Sequence, residues 1–150
     1  MERNMIAGEV EMSYKSYSKR DELYSIENIT DVRNVSTQFF FNIMNYKEKM
    51  IAIYLNQRNR VLGVCTISEG GINGTVCDVR LVFQSGLLLN ATGLILVHNH
   101  PSGNRNSSNE DLKITKQIKE AGMIMNIRLI DSCIIVEDDI ISIIENANDF

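Results

Sequence analysis

His98-Asn99-His100-Pro101-Ser102-Gly103 holds both histidines and the single proline of a 150-residue chain. Just upstream lies Gly93-Leu94-Ile95-Leu96-Val97, an apolar run of strand length. Side chains alternate along a strand, so His98 and His100 should share one face and Asn99 the other. A bare His-x-His at a strand end reads most simply as two polar residues, one hydrogen-bonded and one solvated. The residues after His100 change that reading. Pro101 lacks an N–H and ends the ladder. Gly103 reaches backbone angles closed to other residues. The polar stretch Asn104-Arg105-Asn106-Ser107-Ser108-Asn109 lets the chain turn back over the strand ends. A helix-like segment then runs from Leu112 to Ala121 and ends at Gly122. Ser107 or Ser108 stands where its N-cap is expected, each with an acid three residues on. Asp111 in the first turn can be brought back toward the imidazoles. Two His and one Asp suit Zn²⁺, and three protein ligands plus an open position are the pattern of a catalytic zinc.

These residues carry a resemblance. His98-x-His100, seven residues, then Ser108-x-x-Asp111 resembles the signature of the JAMM (JAB/MPN-type) zinc metallopeptidases. The wording His98-Asn99-His100-Pro101-Ser102-Gly103 is similar to one branch, the RadC family of bacterial proteins. Gly74-Thr75 and Asp78-Val79-Arg80 resemble further elements of that family, and the likeness runs from about Glu48 to the C-terminus. The resemblance implies an α/β fold, a single-domain, cytidine-deaminase-like JAB/MPN mixed β-sheet flanked by helices. It implies Zn²⁺ held by His98, His100 and Asp111, and hydrolysis of an amide or isopeptide bond in a peptide or protein substrate by a zinc-activated water. It also implies a glutamate on an earlier strand as general base. The family places an acid just before an apolar run ending in Leu-Asn, which here is Glu48 before Lys49–Asn56. A solvated Glu between two lysines is the plain alternative for Glu48, and Glu69 is the competing carboxylate. Ser108 would donate to the oxyanion. If Ser107 caps the helix with Glu110, Ser108 is free for that role; if Ser108 caps, two roles meet on one hydroxyl. Val79 stands where the family commonly has proline, Leu81 where it often has Glu, and Ser132 follows Asp131 where Asp-His is frequent. None of these is a proposed ligand. The alternative function is a DNA-repair-associated or interaction protein that uses the fold as a binding scaffold.

Composition narrows the classes. The length suits one domain, read as a 1–30 extension and a 31–150 core. No run of about 18 apolar residues suggests a membrane span, and the first residues lack the pattern of a signal peptide. Three widely spaced cysteines, Cys65, Cys77 and Cys133, read as buried thiols in a reducing compartment. The expected location is therefore the cytoplasm. A net charge of −4 argues against nucleic-acid binding by overall electrostatics. Lys47, Lys49, Arg58 and Arg60 leave a local basic patch, for which a solvated hairpin is the simpler reading. RadC proteins usually carry an N-terminal helix-hairpin-helix segment, and the forty or so residues before the core pattern leave no room for it.

The remaining segments fit an α/β order. Val10–Tyr14 alternates as an edge strand would. Val32 to Tyr46 reads as a helix capped by Thr30 or Asp31, with Val35, Phe39, Ile43 and Tyr46 on one face. Lys49 to Leu55 and Arg60 to Ser68 read as strands joined by a turn at Asn56–Asn59. Gly70–Gly74 is a loop without phosphate-binding spacing. Asp78 to Asn90 reads as a helix with Val79, Val82, Phe83 and Leu87 inward. Arg80 either orders the loop, binds substrate or forms a surface ion pair. Met125 to Ile130 and Cys133 to Val136 read as closing strands. The tail from Ile140 packs on the sheet or on a partner.

Overall fold

A computed structural model describes residues 6–16, 19, 22–70 and 76–147. Its centre is two buried antiparallel strands, β1 (Lys49–Leu55) and β3 (Gly93–Asn99). Both are apolar along nearly their whole length, because both faces of the sheet are covered. β2 (Val61–Glu69), β4 (Arg128–Ile135) and β5 (Ile140–Ser142) complete a five-stranded mixed sheet in the order β2-β1-β3-β4-β5. Only β3 and β4 run parallel. A parallel pair needs a crossover, and α3 (Asn109–Met125) is that crossover. Residues 100–108 lead from β3 into it, and its first turn brings Asp111 to the histidines.

Alternation divides the core in two. Ile51, Ile53, Leu55, Ile95 and Val97 pack against Val32, Val35 and Phe40 of α1 (Ile29–Phe40). Met50, Ala52, Tyr54, Leu94 and Leu96 pack against Val82 and Phe83 of α2 (Val79–Leu88) and Ile118 of α3. The mixed sheet flanked by helices matches the fold expected from the residues.

Several boundaries differ from expectation. α1 starts earlier, at an Asn28 cap that forms a reciprocal capping box with Asp31. It stops at Phe40, and residues 41–46 are turns. The carbonyls of Met44 and Lys47 there accept hydrogen bonds from Asn99 instead of continuing a helical ladder. Tyr46 is accordingly exposed. α3 does not end at Gly122. A Cβ there would run into the Ile127 carbonyl, so this glycine serves close packing, and the left-handed C-cap is Asn126 at φ 54°. Arg128–Ile135 is one strand rather than two. On α2 the inward small residue is Gly86, while Leu87 is about half exposed. Val10–Tyr14 forms no strand; Tyr14 instead donates its hydroxyl to the Leu62 carbonyl. The tail packs on the sheet, as β5 and the short α4 (Ile143–Asn146). Gly74-Thr75 lies outside the described residues.

Candidate metal centre

The register of β1 against β3 pairs Met50 with His98. His98 is buried and lies on the face that carries Leu94 and Leu96. His100 follows two residues later, just past the strand end. The turn at Pro101-Ser102 is closed by the Gly103 N–H donating to the His100 carbonyl, with Gly103 at φ 79°. Arg105 then ties the loop to the β4–β5 turn through Asp138 and Asp139. The chain enters α3 at Ser108, which is the N-cap.

Three side chains converge. His98 Nε2 lies 3.1 Å from His100 Nε2 and 3.1 Å from Asp111 Oδ1. His100 Nε2 lies 3.2 Å from Asp111 Oδ2. Metal–ligand bonds of 2.0–2.2 Å at tetrahedral angles require donors about 3.3 Å apart, so the spacing fits such an ion. The tautomers fit as well. His100 Nδ1–H donates to the Asn104 carbonyl at 2.8 Å, which leaves a lone pair on Nε2 when the ring is neutral. That lone pair faces a carboxylate and a second imidazole, so the cluster calls for positive charge at its centre. A proton can supply it: the hydrogen bond to Asp111 outweighs burial and raises the His100 pKa. A divalent cation can supply it too, since one ligand atom from each of His98, His100 and Asp111 lies within 4.8 Å of the others. Burial by itself would raise the Asp111 carboxyl. Hydrogen bonds from His100 and His98, their charge, and the Ser108 N–H hold it far below the usual carboxylate range instead.

The structure decides between the two candidate caps. Ser108 Oγ accepts from the Asp111 N–H at 3.1 Å, and the Asp111 carboxylate accepts from the Ser108 N–H at 2.8 Å. Capping uses a lone pair of the hydroxyl and leaves its hydrogen available. The two roles therefore meet on one oxygen without excluding each other.

Continuing the β1–β3 register by two residues sets Glu48 opposite His100. Cross-strand partners share a face, and Glu48 is close enough to act on the His100 charge. It is half-buried. Glu69 pairs with Lys49 on β2, one strand further from the histidines, and is exposed. Arg80 forms an ion pair with its neighbour Asp78 and is almost fully exposed. Lys49 and Arg60 of the basic cluster bind the carbonyls of Phe39 and Leu23. Sequence reasoning missed the Asn104 carbonyl, because every residue has one and no side-chain pattern marks it.

A mixed sheet with a His-x-His strand end facing an acidic helix start defines a metal-competent α/β domain. The model of the RadC-like JAB domain matches residues 26–148, and the chain belongs to that family. Among similar proteins, a UPF0758 protein of Flavobacterium johnsoniae is 48% identical over 100 residues, covering 67% of this chain and 44% of the relative. One from Pelobacter propionicus is 35% identical over 126 residues, 83% of this chain and 55% of the relative. One from Geotalea uraniireducens is 32% identical over 143 residues, 95% of this chain and 62% of the relative. The chain thus spans about half the length of the curated relatives it matches. No described helix is long and apolar enough to cross a membrane.

Proposed function

We propose that this domain is a zinc-dependent hydrolase of amide or isopeptide bonds in a peptide or protein substrate. The observation that carries the reading is the donor triad at 3.1–3.2 Å spacing with a carboxylate set opposite one of its histidines. His98 Nε2, His100 Nε2 and an Asp111 oxygen would hold the ion. A zinc bound there would supply acidified solvent, its pKa lowered from about 15.7 to about 7.

The chain's own residues then have separable tasks. Glu48 takes a proton from the attacking water as its oxygen adds to the scissile carbonyl. Ser108 donates its hydroxyl hydrogen to the oxygen that gains negative charge, while its lone pair keeps the cap on α3. One such donor is typically worth about 3–4 kcal/mol. Glu48 returns the proton to the amine nitrogen as the C–N bond breaks, which leaves a carboxylic acid and a free amine. Asn104 holds the His100 tautomer that keeps Nε2 available.

The test has two stages. Metal analysis of the purified protein should find one zinc per chain, and His100→Ala should bring none. A peptidase screen on the zinc-loaded protein should then find hydrolysis that Glu48→Gln abolishes. Hydrolysis that survives Glu48→Gln would remove the general base and leave the zinc assignment standing. A wild-type protein that binds no zinc would sink the reading as a whole.

A further inference from the structure

Asn99 stands between the two histidines yet points away from them. It is fully buried, on the sheet face covered by α1. Both ends of its amide are engaged. Its Oδ1 accepts from the Lys49 N–H at 2.8 Å. Its Nδ2 donates to the Lys47 carbonyl at 2.8 Å and to the Met44 carbonyl at 2.9 Å, with the Ile43 carbonyl further off at 3.5 Å. Because the partners are carbonyls on one side and an N–H on the other, the orientation of the amide is fixed.

The placement of these bonds has a geometric meaning. The Lys47 carbonyl belongs to the peptide group before Glu48, and the Lys49 N–H to the peptide group after it. One side chain therefore grips both peptide planes that flank Glu48. The segment leading in, residues 41–47, forms turns rather than a helix or strand. The Gly70 N–H, donating to the Glu48 carbonyl, adds a further backbone tie at this residue. Resting on the hydrolase reading above, we infer that Asn99 is a positioning residue: it sets the Glu48 carboxylate beside His100 by clamping the backbone on both sides of Glu48. The same strand thus presents the metal ligands on one face and aligns the proton acceptor from the other.

The residue type follows from the task. Aspartate cannot donate to two carbonyls, and a leucine of similar volume can neither donate nor accept. Alanine would take this partner from the Lys49 N–H and from the Met44 and Lys47 carbonyls, all at part-buried positions.

The test compares Asn99→Ala, Asn99→Asp and Glu48→Gln in the full chain. Backbone hydrogen exchange of the zinc-loaded protein should quicken about tenfold or more across residues 43–49 in both Asn99 variants, and stay unchanged in α3. Zinc retention against a chelator should stay within about twofold of wild type, since no ligand atom is touched. In cobalt-substituted protein, the pH dependence of the visible spectrum should move in the Asn99 variants as it does in Glu48→Gln. On any peptide substrate found, kcat should drop by up to about a hundredfold with little change in KM, the scale of a small misplacement of a reacting group. The Asn99→Ala/Glu48→Gln double variant should be no worse than Glu48→Gln.

Exchange across 43–49 that stays at the wild-type rate would overturn the inference. So would zinc loss in the Asn99 variants, which would make Asn99 a support of the ligand strand. Faster exchange with a wild-type cobalt profile would reduce Asn99 to a structural role, and the inference would fall while the effect of Glu48→Gln stood. If Glu48→Gln itself left the cobalt profile unmoved, the general-base role of Glu48 would fail first and take this inference with it. If Asn99→Ala does not fold, Asn99→Asp, which keeps the bond from Lys49, reads the same comparison.

Discussion

The two faces of β3 treat polar side chains in opposite ways. On one face, Asn99 is buried with both its amide oxygen and its amide nitrogen hydrogen-bonded. On the other, His98 and His100 turn ring nitrogens toward each other and toward a carboxylate, and His98 Nδ1 is buried with no hydrogen bond among the described residues. A buried polar group without a proper partner costs stability. The histidine face therefore gives up stability that the asparagine face keeps. A bound cation is one group that can complete such a cluster.

That contrast can be broken most forcefully at the histidines. His100→Ala should abolish zinc binding, read as metal per chain by mass spectrometry under native conditions. A variant that keeps its metal would erase the distinction between the faces. The next largest effect should come from the opposite face, and in fold stability rather than metal content. In metal-free protein, Asn99→Ala should destabilise by about 2–4 kcal/mol, because three part-buried backbone groups lose a partner at once. His100→Ala under the same conditions at pH 8 should cost under about 1 kcal/mol. Urea unfolding of both variants decides this, and equal losses would contradict the comparison.

A subtler effect is the sign of the pH dependence. His100 is raised above 6.5 by its hydrogen bond to Asp111, so its contribution is present below pH 6.5 and fades as pH rises through the raised value. Asp111 is lowered despite its burial, chiefly by His100 and His98, so its contribution is present above pH 3.8 and fades as the medium turns more acid. The metal-free protein should thus lose stability from His100 as pH climbs above 6.5. The zinc-loaded protein should gain over the same range, because zinc binds neutral imidazole. Thermal melts of the two forms should show opposite slopes, and parallel slopes would deny the linkage. The smallest effect belongs to Arg105→Ala. Its pairs with Asp138 and Asp139 are about half exposed, so the melt should shift by less than about 1 kcal/mol, with zinc content intact.

Much of the centre was legible because it is local. His98 to Asp111 is fourteen residues of strand, turn and helix start, and each piece has its own signature: alternation, a proline stop, a Ser-x-x-Asp cap. The choice between Ser107 and Ser108 was not legible, since both have an acid at the right spacing. Only the folded loop shows which hydroxyl meets an N–H. Glu48 came from likeness to a family rather than from its own surroundings, because a glutamate between lysines looks solvated until β1 lies against β3. The helix over 32–46 was overextended for a related reason. Its apolar spacing continues past Phe40, but the chain turns there and sets the Met44 and Lys47 carbonyls against Asn99, more than fifty residues on.

Periodicity and turn chemistry, which act over a few neighbouring residues, marked the succession from α1 to α3 and the loop after β3 from the chain alone. Which residues face one another across β1, β3 and α3 was settled only by the packed sheet. Strand register and the crossover of α3 depend on burying both faces at once, and that condition joins residues far apart in the chain. The Glu48–His100 pairing and the bonds of Asn99 to residues 44–49 belong to this second kind.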